Sequence, residues 1–156
     1  MRAETTHAVI LLAIVAGLGF ALFAAYETVF PAAEGFCSVS PFFSCAAVDQ
    51  SSHTTTLGVQ DWAWGIAGFA LLLALDVPLY RTWKRSWLVA LTLASLAGAL
   101  FSVYLAYVEL GIIGALCPVC LGAYLCNAVV LGFALVLVRK ARGSKDRAPP
   151  TDAEAS

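Results

Sequence analysis

Four long apolar runs constrain the fold of this chain more than any other feature of its sequence. They extend from about Val9 to Phe30, Trp62 to Leu79, Trp87 to Val108 and Ile113 to Val138. Each run is close to the ~20 residues that an α-helix needs to cross a membrane. Because backbone polar groups in hydrocarbon must be paired within their own segment, runs of this length are expected to be helices.

A soluble helical bundle is the alternative, and the composition argues against it. A soluble helix carries a polar stripe, but "LVALTLASLAGALFSVYLAYV" contains no charged residue. With 61% hydrophobic and 12% charged residues, the chain has too little polar surface to cover a soluble core. A signal peptide is an alternative for the first run only, but that run exceeds the 7–15 residues of such a segment. We predict an all-α membrane protein, a four-helix bundle with transmembrane helices at about 8–30, 62–80, 87–108 and 113–138.

The placement of the basic residues predicts the orientation in the membrane. The nine Lys and Arg residues occur in three places, namely at Arg2, in the segment "YRTWKRSW" and in the tail 139–156. The connections 31–61 and 109–116 contain none. Since basic residues favour the cytoplasmic side, we expect both termini in the cytoplasm and the loop 31–61 outside a plasma (inner) membrane. The tail is expected to be basic and then disordered, and the net charge of −1 argues against nucleic acid as a partner.

Four of the five cysteines fall on the side predicted to be extracytoplasmic. Cys37 and Cys45 are in the outer loop, and Cys117 and Cys120 are at the outer end of the fourth helix. Disulfides persist on that oxidising side. A zinc site is disfavoured because zinc pairs are usually spaced C-x₂₋₄-C, whereas seven residues separate the loop pair, so no metal is predicted. A static staple in the loop remains an alternative, and Cys126, deeper in the helix, is expected to be a small apolar residue.

The motif "CPVC" is typical of a helix that begins with a reactive cysteine. Proline is favoured at the first helical position, which puts Cys117 at or near the N-cap and Cys120 one turn inside. Unpaired N–H groups and the positive end of the helix dipole stabilise a thiolate there. A thiolate is the species that attacks disulfides and electrophiles. The motif is therefore positioned to react while one side of the helix stays in the bilayer.

Polar side chains below this motif suggest a ligand. At about 100° per residue, Tyr124 and Asn127 lie within ~40° of the direction of Cys120. A phenol and an amide at membrane depth need polar partners, which are either a ligand or a neighbouring helix. Asp61 opens the second helix at the same level, where it either caps the helix or faces a ligand.

Together these segments resemble the vitamin K epoxide reductase family of membrane thiol oxidoreductases. The resemblance is carried by "CSVSPFFSC" with Ser51 six residues beyond it, by "CPVCLGAY", and by "SLAGALFSVYLAYVE" in the third helix. It covers about residues 8–138. It implies a four-helix bundle around a quinone pocket, capped on the extracytoplasmic side by the loop with Cys37 and Cys45.

The resemblance also implies roles for the cysteines and the pocket. Cys120 would react with the quinone, and Cys117 would exchange with Cys45, while Cys37 and Cys45 would meet an external redox protein. No metal is implied, and the quinone would be ubiquinone or menaquinone. Four residues are expected to bind the quinone. Ser51 and Tyr124 match pocket positions of the family. Asp61 is included for its place at the start of the second helix, and Asn127 for its place on the same helix face as Cys120.

One segment departs from the family pattern. The chain has "GVQDWAWG" where the family often has an amide side chain or a "GIP"-like turn. If Asp61 occupies the amide position, it can donate a hydrogen bond to a quinone oxygen only when its carboxyl group is protonated.

We therefore expect a membrane thiol-disulfide oxidoreductase that passes electrons from a reduced, thioredoxin-like (DsbA-like) protein to the quinone and so supports disulfide formation. The partner is expected to be a separate protein, because no thioredoxin-like domain follows the last helix. The same cysteines could instead reduce vitamin K epoxide, and a non-enzymatic, disulfide-stapled membrane scaffold is an alternative of a different class.

Overall fold

Four long helices account for most of the protein. The computed structural model describes residues 3–30, 37, 40–49, 51, 55–56 and 58–145. The long helices are α1 (Ala3–Val29), α3 (Asp61–Thr82), α4 (Arg85–Tyr107) and α5 (Pro118–Lys145). Within these described residues, four helical spans are long and apolar enough to cross a membrane, namely Thr5–Val29, Asp61–Thr82, Arg85–Ile113 and Pro118–Arg142. The predicted all-α four-helix membrane bundle is confirmed.

Short elements occupy the connection between α1 and α3. Helix α2 (Cys45–Asp49) is followed by an antiparallel hairpin of β1 (Thr55–Thr56) and β2 (Val59–Gln60). The side chain of Ser44 accepts a hydrogen bond from the N–H of Ala47 at 3.1 Å, which satisfies one of the free donors at the start of α2.

The fourth apolar run is divided between two helices. A π-helical segment, Val108–Ile113, continues α4 and ends at Gly114, whose φ is 72°. This left-handed conformation suits glycine, and it turns the chain before α5 begins at Pro118. The last helix thus starts at Pro118, as the proline of "CPVC" predicts, and not at 113, where the predicted apolar span began. It continues to Lys145, beyond the predicted end at 138, because no proline interrupts the intervening sequence.

The long helices pack as a ring in which α1 and α4 each contact both α3 and α5. The core between them contains fully buried aliphatic side chains, including Ile14, Leu91 and Val130. Leu100 and Val103, by contrast, are 65% and 68% exposed, as expected for side chains that face lipid. One close approach depends on glycine: a Cβ atom at Gly17 would overlap the buried ring of Phe69.

The end of the bundle that contains the start of α1 holds a buried polar pair. His7 Nδ1 lies 3.5 Å from Asp76 Oδ1, and both side chains are about 95% buried. The imidazole also makes edge-to-face contacts with Tyr80 and Trp83. This pair joins α1 to α3 at the end of the bundle opposite the cysteines.

Candidate active site

Three sulfur atoms form a compact cluster at the other end of the bundle. Cys37 and Cys45 are joined by a disulfide. The Sγ of Cys45 lies 3.1 Å from the Sγ of Cys117, and all three sulfur atoms lie within 4.8 Å of one another. The three residues are almost completely buried. Cys45, bonded to one sulfur and in contact with another, is therefore placed for thiol–disulfide exchange.

Backbone hydrogen bonds hold the loop against the start of α5. Phe43 and Leu116 form a parallel β-bridge. The N–H of Leu116 donates to the carbonyl of Phe42 at 2.7 Å, and the N–H of Ser44 donates to the carbonyl of Leu116 at 3.2 Å. Cys45 and Cys117 each follow directly after a bridged segment. Their sulfur contact is thus fixed by main-chain pairing.

The Cys-X-X-Cys motif has the helix-start geometry that its proline predicted. Helix α5 begins at Pro118, and the N–H of Cys120 donates to the Sγ of Cys117 at 3.2 Å. The sulfur of the N-cap residue thereby accepts a hydrogen bond from the N–H of the third helical residue. At most helix starts, a side-chain hydroxyl or carboxylate of the N-cap residue accepts this bond. This hydrogen bond holds the sulfur of Cys117 at the start of the helix.

A cavity of about 730 Å³ opens beside the sulfur cluster. Cys45, Cys117 and Cys120 line it, together with apolar side chains from all four long helices. Ligand pockets commonly have volumes of about 300–1,000 Å³, mostly apolar walls and a few polar groups. The cavity therefore has the size and lining needed for a flat, apolar ligand in contact with a thiol.

Three of the four residues expected to bind a quinone line this cavity, namely Asp61, Tyr124 and Asn127. The fourth, Ser51, is not among the described residues that line it. Ser51 follows α2, and its N–H donates to the carbonyl of Val48 at 3.1 Å.

The structure also bears on the alternatives for two of these residues. Asp61 is the first residue of α3 and Gln60 occupies the N-cap, so the capping alternative for Asp61 is wrong. Its carboxylate accepts a hydrogen bond from Thr56 Oγ1 at 2.8 Å. Asn127 Nδ2 donates to the carbonyl of Ser95 at 3.1 Å, which joins α5 to α4. Asn127 thus makes the interhelical bond considered as the alternative, while it also lines the cavity.

Glu109 is the site residue that the sequence analysis missed. It lies in the π-helical segment, is 3% exposed and lines the cavity. Its Oε1 accepts a hydrogen bond from the hydroxyl of Tyr124 at 2.7 Å, and its Oε2 accepts from the N–H of Cys117 at 3.1 Å. The thiol of Cys120 lines the same cavity and interacts electrostatically with this carboxyl group. The available signal was an acidic residue at the end of an otherwise uncharged span, which is costly unless it has a role.

Comparison with known proteins identifies one family. The model of the Vitamin K epoxide reductase family matches residues 8–135, a range that contains the four cysteines and the four expected quinone-binding residues. No curated protein sequence matches the chain.

Proposed function

This protein belongs to the vitamin K epoxide reductase family, and we propose on that basis that it transfers electrons from an external dithiol protein to a membrane quinone. Family membership indicates a multi-pass membrane thiol oxidoreductase. The donor proposed here is a reduced, thioredoxin-like protein on the extracytoplasmic side. The consequence would be the net formation of disulfides in the substrates of that donor.

Electrons would enter at the loop disulfide. A thiolate of the partner attacks the Cys37–Cys45 disulfide and forms a mixed disulfide, which the second thiol of the partner resolves. The partner leaves oxidised, and Cys37 and Cys45 are left as two thiols. The proposal requires the loop to open at this stage, because both of its cysteines are buried in the described state.

Electrons would then pass to the helix pair through Cys45. Its thiolate attacks Cys117 in a Cys117–Cys120 disulfide, so that Cys120 leaves as a thiolate. Cys37 then attacks Cys45, which restores the loop disulfide and frees Cys117. The 3.1 Å contact between the sulfur atoms of Cys45 and Cys117 is the observation that carries this proposal. In this scheme, a state with the loop disulfide closed and Cys117 and Cys120 free would be the one that reduces the quinone.

The cavity would hold the quinone beside Cys120. In the final step, the thiols of Cys117 and Cys120 form a disulfide and lose two electrons and two protons, which convert the quinone to the quinol. Ubiquinone and menaquinone are the candidate oxidants. Asp61, Tyr124 and Asn127 would supply the polar contacts, while Ser51 would act from the loop above them.

Quinone consumption by the purified protein tests this function. With a reduced thioredoxin-like donor, the wild type should reduce a short-chain ubiquinone or menaquinone, which is followed by the change in quinone absorbance. Cys45→Ala and Cys120→Ala should each abolish turnover, because each breaks the relay at a different sulfur. Cys126→Ala is the matched control and should retain activity.

The same assay separates the alternatives. A non-enzymatic scaffold would leave quinone unreduced in every variant. Reduction of vitamin K epoxide without reduction of either quinone would show that the relay serves a different oxidant.

A further inference from the structure

The geometry points to Glu109 as the general base that removes the proton from the thiol of Cys120 during quinone reduction. This inference rests on the proposed function and adds a catalytic residue to it. It concerns a group that the cysteine relay leaves unused, although that group is one of the most buried carboxyl groups in the described part of the chain.

Quinone reduction by thiols is a proton transfer as well as an electron transfer. The two thiols must lose two protons, and the quinone oxygens must gain two. The cavity is mostly apolar, so a buried group that accepts and returns a proton has a clear use there. A candidate base must lie within hydrogen-bond reach of the proton that it removes.

Glu109 interacts with groups at both ends of this transfer. Its carboxyl group lines the same cavity as the thiol of Cys120, the sulfur proposed to react with the quinone, and interacts with that thiol electrostatically. It also accepts from the hydroxyl of Tyr124 at 2.7 Å, and Tyr124 lines the cavity proposed for the quinone. One carboxylate thus connects the proton donor to a hydroxyl that can reach a quinone oxygen.

The atoms and electrons balance within these groups and the quinone. Glu109 takes the proton of the Cys120 thiol as that sulfur donates its electron pair to the quinone. Tyr124 gives its hydroxyl proton to a quinone oxygen and is reprotonated by Glu109, which becomes a carboxylate again. The sulfur of Cys117 then bonds to that of Cys120, and the bond between Cys120 and the quinone ring breaks with its electron pair leaving on the ring. The proton of the Cys117 thiol completes the quinol.

The local backbone conformation places Glu109 beside these groups. The residue lies in a π-helical segment, a geometry often found at functional sites. The carboxylate also accepts from the N–H of Cys117, which fixes its position relative to the motif. A purely structural role would end with that bond and would not need the contacts to the thiol and the phenol.

Other titratable groups surround Glu109 and must be separated from it by controls. Those that face it are Cys120 and Tyr124 of α5, Cys117 just before that helix, and Asp61 at the start of α3. Glu27 of α1 is equally buried and lines the same cavity. Glu27→Gln is therefore a matched control, because it removes a second buried carboxyl group from the same cavity wall.

The test is the pH dependence of a single turnover. Reduced full-length protein in lipid nanodiscs is mixed with a short-chain ubiquinone, and quinone absorbance is followed. In the wild type, the rate should rise with pH to a plateau as the base becomes available. Glu109→Gln should be about 10²–10⁴-fold slower at the plateau pH. Its rate should rise about tenfold per pH unit without a plateau, because hydroxide must then remove the proton.

Two variants check that this effect belongs to Glu109. Glu27→Gln should keep the plateau. Glu109→Asp should recover part of the rate and the plateau, because it keeps a carboxylate. Exchange of the Glu109→Gln loop disulfide with the reduced donor should continue, which shows that the protein is folded and the relay intact.

A wild-type rate for Glu109→Gln with an unchanged pH profile would overturn the inference while leaving the proposed function in place. If Glu109→Gln does not fold, the wild-type profile decides, because a rate without an acidic limb excludes a carboxylate base. Failure of the wild type to reduce either quinone would overturn both proposals.

Discussion

The sulfur atoms of Cys45 and Cys117 lie 3.1 Å apart across 72 positions of sequence. Cys45 belongs to the connection between α1 and α3, and Cys117 directly precedes α5. These two segments meet through a main-chain β-bridge. Cys37, the disulfide partner of Cys45, belongs to the same sulfur cluster. Cys45 is thus the sulfur common to the disulfide and to the contact with the helix start.

Cys120→Ala should trap a disulfide between Cys45 and Cys117. The thiolate of Cys117 can attack Cys45 and release Cys37, but without Cys120 no thiol on α5 can resolve the product. Alkylation of the released Cys37 should drive most of the protein into this form, measured by mass spectrometry of non-reduced peptides. The Cys120→Ala/Cys126→Ala double variant should behave identically. Recovery of Cys37–Cys117 peptides in its place would contradict the exchange through Cys45.

Gly114→Ala should destabilise the protein through its backbone alone. Gly114 has a φ of 72°, and an added Cβ atom would meet nothing within 4 Å. A left-handed conformation costs an ordinary residue about 1–2 kcal/mol, so the free energy of unfolding should fall by that amount. Gly114→Asn should cost less, since asparagine tolerates this conformation better. Denaturation in detergent measures both, and equal stability of the two variants would argue against a backbone origin.

Gly17→Ala should destabilise the packing of α1 against α3. Its Cβ atom would overlap the ring of Phe69, and overpacking of this kind costs about 1–3 kcal/mol. Gly19→Ala is the matched control on the same helix, because a Cβ atom there would meet nothing within 4 Å. Thermal unfolding should separate the two variants, and Phe69→Leu should rescue Gly17→Ala. A loss of the same size at Gly19 would refute the packing argument.

His7 and Asp76 should depend on each other for stability. His7→Leu leaves the carboxyl group of Asp76 buried without its partner, which should cost about 1–3 kcal/mol. Replacing both residues with leucine should recover most of that loss, because an apolar pair can substitute for a buried polar one. A double-mutant cycle measured by denaturation gives the coupling. Additive losses would show that the contact contributes nothing.

The sequence predicted those features that depend on periodicity and on local backbone rules. Four apolar runs of membrane-spanning length indicated the four helices, and Pro118 indicated where α5 begins. Helical geometry placed Asn127 on the side of Cys120, and the structure shows it lining the same cavity. The cysteine pairing in the loop was implied by the family resemblance alone, and the structure contains that disulfide.

What the sequence did not predict depends on contacts between elements. Hydrophobicity continues through 113, so it gives no sign that a π-helical segment ends at Gly114. That segment turns Glu109 toward Cys117 and Tyr124, and no pattern within one helix contains this relationship. The acceptor for Asn127 is likewise a backbone carbonyl on another helix, that of Ser95.

Because of the bridge between Phe43 and Leu116, the position of the sulfur cluster depends more on the number of residues in the loop than on their side chains. Its hydrogen bonds join main-chain groups, so most side-chain replacements at these two positions leave the bonds intact. Removing Ser44, the one residue between Phe43 and Cys45, would instead shift Cys45 by one position relative to the bridge and remove the hydrogen bond at the start of α2. Natural or engineered versions of this loop should therefore vary freely in residue type, while the count of residues between bridge and sulfur stays constant.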